Sequence, residues 1–146
     1  MKVLMLILFT SLFTPSSSWI NNLEDAKKTA SQKHELILLN FSGSDWCGPC
    51  IRLKKEVFES AGFKEYADHN LVLVNADFPR LKKNQPSKEQ VKQNEALADK
   101  YNPKGKFPYT LLLNADGKVL KVYDGFPNIS AEEFTDEIKA FSDAGK

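Results

Sequence analysis

The chain has 146 residues, of which 20 are basic and 19 are acidic, so its formal net charge at pH 7 is +1. Nothing in this balance suggests a nucleic-acid-binding protein, which would need a clearly basic face, so no nucleic acid is expected as a partner. The length fits one domain with one hydrophobic core, and two cysteines are too few for a framework of several disulfides.

Residues 1–18 are predicted to be a secretory signal peptide that is cleaved. Lys2 supplies a positive start, residues 3–13 form an apolar core, and Ser16 and Ser18 are small residues at the −3 and −1 positions of the cut. The alternative is a membrane anchor, but a spanning helix needs about twenty apolar residues and this run is shorter. We therefore expect an exported protein, periplasmic or secreted, without stable membrane insertion after cleavage.

Residues 19–146 are predicted to form a single domain. Hydrophobic periodicity, helix caps and turn residues indicate the order α-β-α-β-α-β-β-α. A βαβ unit makes parallel strands and a late hairpin adds antiparallel ones, so we predict an α/β fold with a mixed central sheet and helices on both faces. The predicted helices are 22–33, 51–66 with a break near 60–62, 87–101 and 130–141, and the predicted strands are 36–41, 71–77, 109–113 and 118–123.

A polar loop over residues 78–86 separates the second strand from the next helix. Its basic cluster, Arg80-Leu81-Lys82-Lys83, is interpreted as a solvated loop rather than a binding patch. Capping boxes are predicted at Ser87 with Gln90 and at Ser130 with Glu133. The inner face of the helix that Ser87 opens is predicted to consist of Val91, Ala96, Leu97 and Tyr101.

Cys47 and Cys50 form a C-x-x-C between an apolar strand and a helix, which is the context of a redox motif. The positive end of the helix favours a thiolate at the first cysteine, and the second thiol can resolve a mixed disulfide. We therefore predict Cys47 as the exposed nucleophile and Cys50 as the resolving thiol. A zinc site would need further ligands, and His34 and His69 are isolated, so no metal or other cofactor is expected. A permanent structural disulfide would close a loop too short to stabilise the chain much.

Two motifs, Trp46-Cys47-Gly48-Pro49-Cys50 and Phe107-Pro108-Tyr109-Thr110, carry a resemblance to the thioredoxin superfamily. The wider pattern over residues 41–54, with Asp77-Phe78-Pro79 downstream, resembles exported bacterial thioredoxin-like proteins. It also resembles, more distantly, the C-terminal domain of the transmembrane thiol reductase DsbD. The resemblance covers roughly residues 23–141 and implies a thioredoxin fold.

The resemblance also implies roles for the residues around the cysteines. Pro108 matches the family's cis-proline, which faces the active-site disulfide, and Phe107 would present backbone groups that pair with a substrate strand. From the residues themselves, Trp46 is expected to lie beside the motif as a contact surface, with a plain packing role as the alternative, and Gly48 and Pro49 are expected to keep the turn between the cysteines tight. Together these five residues are the predicted substrate-binding set.

The chain departs from the thioredoxin pattern at Asn40. Thioredoxins carry a buried acid at this strand position, where it helps to deprotonate the second cysteine. Here the position is an amide, and one extra residue separates it from the motif. Three alternatives remain for the proton of Cys50: water accepts it, a nearby carboxylate such as Asp45 or Glu56 accepts it, or the thiol titrates unaided.

These observations predict an exported thiol–disulfide oxidoreductase that reduces or isomerises protein disulfides. The Gly-Pro dipeptide resembles that of reducing thioredoxins and favours reduction. The expected partners are proteins that contain disulfides and a membrane thiol electron donor. The alternative function is a thioredoxin-fold binding or chaperone module whose disulfide is incidental.

Overall fold

The computed structural model describes residues 18–144, so residues 1–17 of the predicted signal peptide lie outside the described residues. Periodicity and caps predicted the order of the elements correctly. The helices are α1 (Leu23–Lys33), α2 (Gly48–Leu53), α3 (Ala61–Asn70), α4 (Lys88–Tyr101) and α5 (Ala131–Ala144), with a π-helical turn at Lys54–Phe58 and a 3-10 turn at Lys82–Asn84. The strands are β1 (Leu36–Ser42), β2 (Leu71–Asp77), β3 (Tyr109–Leu113) and β4 (Val119–Asp124).

The four strands form one mixed sheet in the order β2-β1-β3-β4. β1 and β2 are parallel, whereas β1–β3 and β3–β4 are antiparallel. The fold class is therefore confirmed. A short addition to the edge of the sheet was not predicted: Ile20 pairs with Val74 in parallel. A single bridging residue has no periodicity, so no sequence pattern could indicate it.

Helices cover both faces of the sheet, and β1 is accordingly buried on both of its sides. Successive strand residues point to opposite faces, so Leu39 and Phe41 pack with α1 while Leu38 packs with α3 and α5. Phe63 of α3 and Phe134 of α5 are fully buried in this second cluster. The central strand is thereby held rigidly, and the C-x-x-C follows directly after it.

The helix behind the motif breaks where it was predicted to break. α2 runs into the π-helical turn, which buries Val57 and Phe58, and α3 begins after Ser60. The Ser60 hydroxyl accepts a hydrogen bond from the backbone N–H of Phe63 at 3.3 Å, which caps α3. The interruption therefore has a local cause in the sequence. Within residues 18–144, no helix is both long and apolar enough to cross a bilayer.

One of the two capping boxes is complete. The Ser130 hydroxyl accepts from the Glu133 N–H at 3.1 Å, and the Glu133 carboxylate accepts from the Ser130 N–H at 2.8 Å. Ser87 also caps its helix, by accepting from the Gln90 N–H. The reciprocal bond is absent there because the Gln90 amide donates to the Asn21 carbonyl at 2.9 Å instead.

The predicted inner face of α4 was wrong at one position. Ala96 is exposed, and the buried residues of the helix are Asn94 and Tyr101. Asn94 is buried because its amide donates to the backbone carbonyl of Asp77 at 2.8 Å, which ties α4 to the end of β2. Periodicity of apolar residues could not find this position, because its burial depends on a hydrogen bond.

Candidate active site

Cys47 and Cys50 are joined in a disulfide at the start of α2, with their Cα atoms 5.2 Å apart. Cys47 is the N-cap residue of the helix, and its sulfur accepts the backbone N–H of Cys50 at 3.3 Å. Pro49 occupies the first turn, where its missing N–H would have no intrahelical partner in any case. The chain before the helix is turned by Gly43, whose carbonyl accepts from the N–H of Cys47 at 2.9 Å.

The predicted exposure of Cys47 was wrong for this oxidised state. The exposed fractions of Cys47 and Cys50 are 4% and 5%, so neither residue is more accessible than the other. The disulfide draws the Cys47 side chain toward the buried Cys50 on the helix. Gly48 and Pro49 are the exposed residues of the motif. The assignment of Cys47 as the nucleophile remains a prediction about the reduced state.

Trp46 is half-buried and is fixed by three neighbours. Its indole Nε1 donates to the Phe78 carbonyl at 2.7 Å, and the Phe107 ring meets it edge-on with centroids 5.4 Å apart. The guanidinium carbon of Arg80 lies 3.8 Å from the centre of the indole ring, a cation–π contact. Gly43 lies so close that an added Cβ would be 2.3 Å from the indole. The residue before Cys47 thus has a defined orientation.

The two motifs that carry the resemblance meet in space through Trp46 and Phe107. The Phe107–Pro108 bond is cis, as predicted, and Pro108 is buried. The Pro108 carbonyl accepts from the N–H of Gly125 at 3.0 Å, which attaches this turn to the end of β4. Segments about sixty residues apart in sequence therefore form one surface.

Asn40 and Cys50 line the same cavity of about 300 Å³. Asn40 is 6% exposed, and each of its two side-chain polar atoms has a hydrogen-bond partner. Its amide donates to the Asn75 side-chain oxygen at 3.0 Å, and its own oxygen accepts from the Thr110 hydroxyl at 2.9 Å. This position beside Cys50 therefore carries a neutral amide held between neutral partners.

The polar chain that continues from Asn40 was not predicted from the sequence. Ser42 lies between two acceptors, the Asn75 oxygen and the Asp77 carboxylate, each 3.1 Å from its hydroxyl. The Asp77 carboxylate also accepts from the backbone N–H of Ser44 at 2.9 Å. Strand alternation contained the signal, because Asn40 and Asn75 are partners in the parallel register of β1 and β2.

The two carboxylates considered as proton acceptors are engaged elsewhere. Asp45 accepts from the backbone N–H groups of Arg80 and Leu81 at 2.9 and 3.0 Å, and these bonds hold the pKa of its carboxyl below the ordinary value. Glu56 is bonded to Arg52 at 3.0 Å, which lowers its pKa likewise. Neither of them lines the cavity that Cys50 lines. A lowered pKa makes a carboxylate a weaker base, so both are poor candidates.

Among residues 18–144, no group of three or more His, Cys, Asp or Glu side chains could hold a metal ion.

Comparison with known proteins identifies the family. The thioredoxin-like domain family matches residues 23–142. The chain is 38% identical over 96 residues to the disulfide bond reductase DsbH of Chlamydia pneumoniae. The aligned residues are 66% of this chain and 56% of that protein, so the match spans just over half of the relative's length. A solved structure described as DsbH oxidoreductase superposes with a TM-score of 0.77 and 28% identity, covering 97% of this chain and 95% of that one.

The likeness to DsbD also holds at the level of the fold. The oxidised C-terminal domain of DsbD from Neisseria meningitidis superposes with a TM-score of 0.53 and 16% identity, covering 80% of this chain and 89% of that one. With its mixed sheet, its C-x-x-C at a helix start and its match over residues 23–142, this chain belongs to the thioredoxin-like domain family.

Proposed function

We propose that the chain is a thiol–disulfide oxidoreductase that reduces protein disulfides through Cys47 and Cys50. The observation that carries the proposal is the hydrogen bond from the Cys50 N–H to the Cys47 sulfur at the start of α2. The same N–H and the positive end of the helix would stabilise a Cys47 thiolate in the reduced protein. The similarity to a protein named disulfide bond reductase supports this direction.

The proposed reaction transfers two electrons to the substrate. The Cys47 thiolate attacks one sulfur of a substrate disulfide, which forms a mixed disulfide and releases the first substrate thiolate. Cys50 then loses its proton and attacks the Cys47 sulfur, which releases the second substrate thiolate and leaves Cys47–Cys50 oxidised. The released thiolates take up protons. The disulfide in this structure corresponds to the product state, so a thiol donor must reduce it before the next turnover.

For the proton of Cys50 we propose water as the acceptor. The cavity beside Cys50 is large enough for water, and its polar lining includes the side chains of Asn40, Ser42 and Asn75. Asp45 and Glu56 are disfavoured by their hydrogen bonds and lowered pKa values. A neutral amide at Asn40 would orient such a water without taking the proton itself.

The substrate-binding set is proposed to act as one surface. Trp46 and Phe107 are in ring contact, and the cis bond before Pro108 lies in the same turn as Phe107. Backbone groups of this turn would pair with an extended substrate segment, which gives affinity without demanding one sequence. Gly48 and Pro49 are exposed and would let the substrate approach the disulfide.

Export and electron supply complete the proposal. The features of residues 1–18 support a signal peptide, and an exported protein would act in the periplasm or outside the cell. In such a compartment the electrons would come from a membrane thiol donor, and the substrates would be exported proteins with disulfides. The near-neutral charge supports a role without nucleic acid.

A turnover assay tests the proposal against the binding or chaperone alternative. The oxidised protein is mixed with a small dithiol as electron donor and with a protein disulfide as substrate, and reduction of the substrate is followed over time. We expect Cys47→Ser and Cys50→Ser each to abolish the catalysed rate. If both variants instead retain the parent protein's effect on the substrate, for example in preventing its aggregation, the disulfide is incidental and the alternative function is correct.

A further inference from the structure

The loop that follows β2 is fastened to the residues just before Cys47. The Asp45 carboxylate accepts the backbone N–H groups of Arg80 and Leu81, and it accepts the side-chain amide of Asn84 at 3.0 Å. From the other side, the Trp46 indole donates to the carbonyl of Phe78. The loop and the segment that leads into Cys47 therefore form one bonded unit.

The loop is also ordered within itself. The Gln85 amide donates to the Pro79 carbonyl at 2.6 Å, and the Asn84 N–H donates to the Leu81 carbonyl at 3.0 Å. The 3-10 turn Lys82–Asn84 is enclosed by these bonds. The interpretation as a plain solvated loop does not account for this number of specific anchors. A surface that is ordered before binding loses less conformational entropy when a partner docks.

The unit presents cations and an apolar side chain beside the active-site tryptophan. Arg80 stacks on the Trp46 ring, while Lys82 and Lys83 are exposed on the turn. Leu81, between them in sequence, is 49% exposed. The acid bonded to this loop is Asp45, whose carboxylate faces loop N–H groups and the Asn84 amide. The loop thus has an excess of positive charge.

We propose that Arg80, Leu81, Lys82 and Lys83, here called the basic turn, form a docking surface for acidic segments of protein substrates. The partner is a polypeptide stretch that carries Asp or Glu together with an apolar side chain close to its disulfide. The cations would face the acids, and Leu81 would face the apolar side chain. This inference rests on the proposed function, because it assigns a substrate preference to the same site.

The size of the preference follows from the number of charges. Solvent-exposed ion pairs each contribute modestly, and three of them acting together correspond to about a tenfold difference in affinity between an acidic and a basic peptide. Such a preference weakens at high salt, because exposed charges are screened. It should affect the rate of encounter as well as the strength of binding.

A binding experiment separates this surface from the redox chemistry. Three fluorescent peptides share one apolar residue and a Ser in place of the substrate Cys, and they differ in acidic, neutral or basic flanks. Their affinities for the oxidised protein are measured by anisotropy at low and at high salt. The acidic peptide is expected to bind about tenfold more tightly than the basic one at low salt, with the neutral peptide between them.

The test variant is Lys82→Gln/Lys83→Gln, which leaves Arg80 and its contact with Trp46 in place. Its matched control is Lys33→Gln/Lys118→Gln, which removes the same charge from exposed lysines. Lys33 ends α1 just before β1, and Lys118 lies in the β3–β4 turn, so both are at the end of the sheet opposite to the motif. The preference should fall to about twofold in the test variant and stay near tenfold in the control.

Two results would overturn the proposal: equal affinity of the parent protein for all three peptides, or the same loss of preference in both double variants. Peptides of the same flanks that carry a disulfide are then offered as substrates. If they bind with the expected preference and are not reduced, the proposed function fails while the docking surface stands. If the peptides are reduced at rates that do not depend on the charge of their flanks, and their affinities do not depend on it either, the docking surface is refuted while the proposed function stands.

Discussion

Replacing Asn40 by Asp tests the description of the cavity beside Cys50. Asn40 is 6% exposed, donates to Asn75 at 3.0 Å and accepts from Thr110 at 2.9 Å. An ionised carboxyl would accept the Thr110 hydroxyl but could not donate to Asn75, whose side-chain oxygen also accepts from Ser42. Loss of this hydrogen bond and burial of the charge should lower the free energy of unfolding by about 1–3 kcal/mol at neutral pH.

The loss should depend on pH in a definite direction. Burial disfavours the charged form, so the introduced carboxyl has a pKa above that of the unfolded chain, which is about 3.9. Above that value the unfolded state binds fewer protons than the folded state, and the stability of the variant falls as the pH rises until the folded pKa is passed. Below it, the protonated carboxyl can donate to Asn75 as the amide did, and the difference from the parent protein should nearly vanish.

Denaturant unfolding of Asn40→Asp and the parent protein across this pH range measures the effect. Asn128→Asp, at an exposed position, makes the same chemical change without burial and serves as the control. The raised pKa should also let the new carboxyl accept the Cys50 proton, so the release of a trapped substrate should become faster near neutral pH. A stability difference that does not change with pH, together with an unchanged release rate, would refute the placement of Asn40 beside Cys50.

Three further predictions concern the neighbours of Cys47. Gly43→Ala should lower the free energy of unfolding by about 1–3 kcal/mol and change the Trp46 fluorescence, because the new Cβ would overlap the indole. The control is Gly62→Ala in α3, where the new Cβ has no neighbour within 4 Å, so this variant should be neutral or stabilising. Asp45→Asn should speed hydrogen exchange at the backbone N–H groups of Arg80 and Leu81, which bond to the Asp45 carboxylate. Because these bonds lower the pKa of Asp45, the parent protein should lose the same protection as the pH falls through that pKa. Unchanged protection in the variant would contradict the anchoring of the loop. In the reduced protein, alkylation near about pH 6 should label Cys47 much faster than Cys50, and equal labelling would contradict the assignment of the nucleophile.

The fold could be predicted because its signals are local. The apolar run over residues 36–41 and the helix caps at Ser87 and Ser130 are each visible within a few residues of sequence. The C-x-x-C and the Phe107–Pro108 pair could be assigned to one site through the family resemblance, and the ring contact between Trp46 and Phe107 agrees with it.

What the sequence did not indicate depends on partners from distant segments. Gln90 does not complete its box because the Asn21 carbonyl lies within its reach. The anchors of Asp45 join residues about 35 positions apart, and no local pattern couples them. The burial of Cys47 is a separate case, because its position at the helix start predicted exposure, whereas in the oxidised protein it is bonded to Cys50 and is 4% exposed.

Trapping the reaction intermediate tests the role of Cys47 most directly. Reduced Cys50→Ser is mixed with a protein disulfide, and the product is analysed by mass spectrometry after alkylation of free thiols. We expect a stable mixed disulfide between the substrate and Cys47, because the thiol that would resolve it is gone, and we expect none for Cys47→Ser. A mixed disulfide that forms equally well through Cys50 in Cys47→Ser, or none in either variant, would contradict the assignment of Cys47 as the nucleophile.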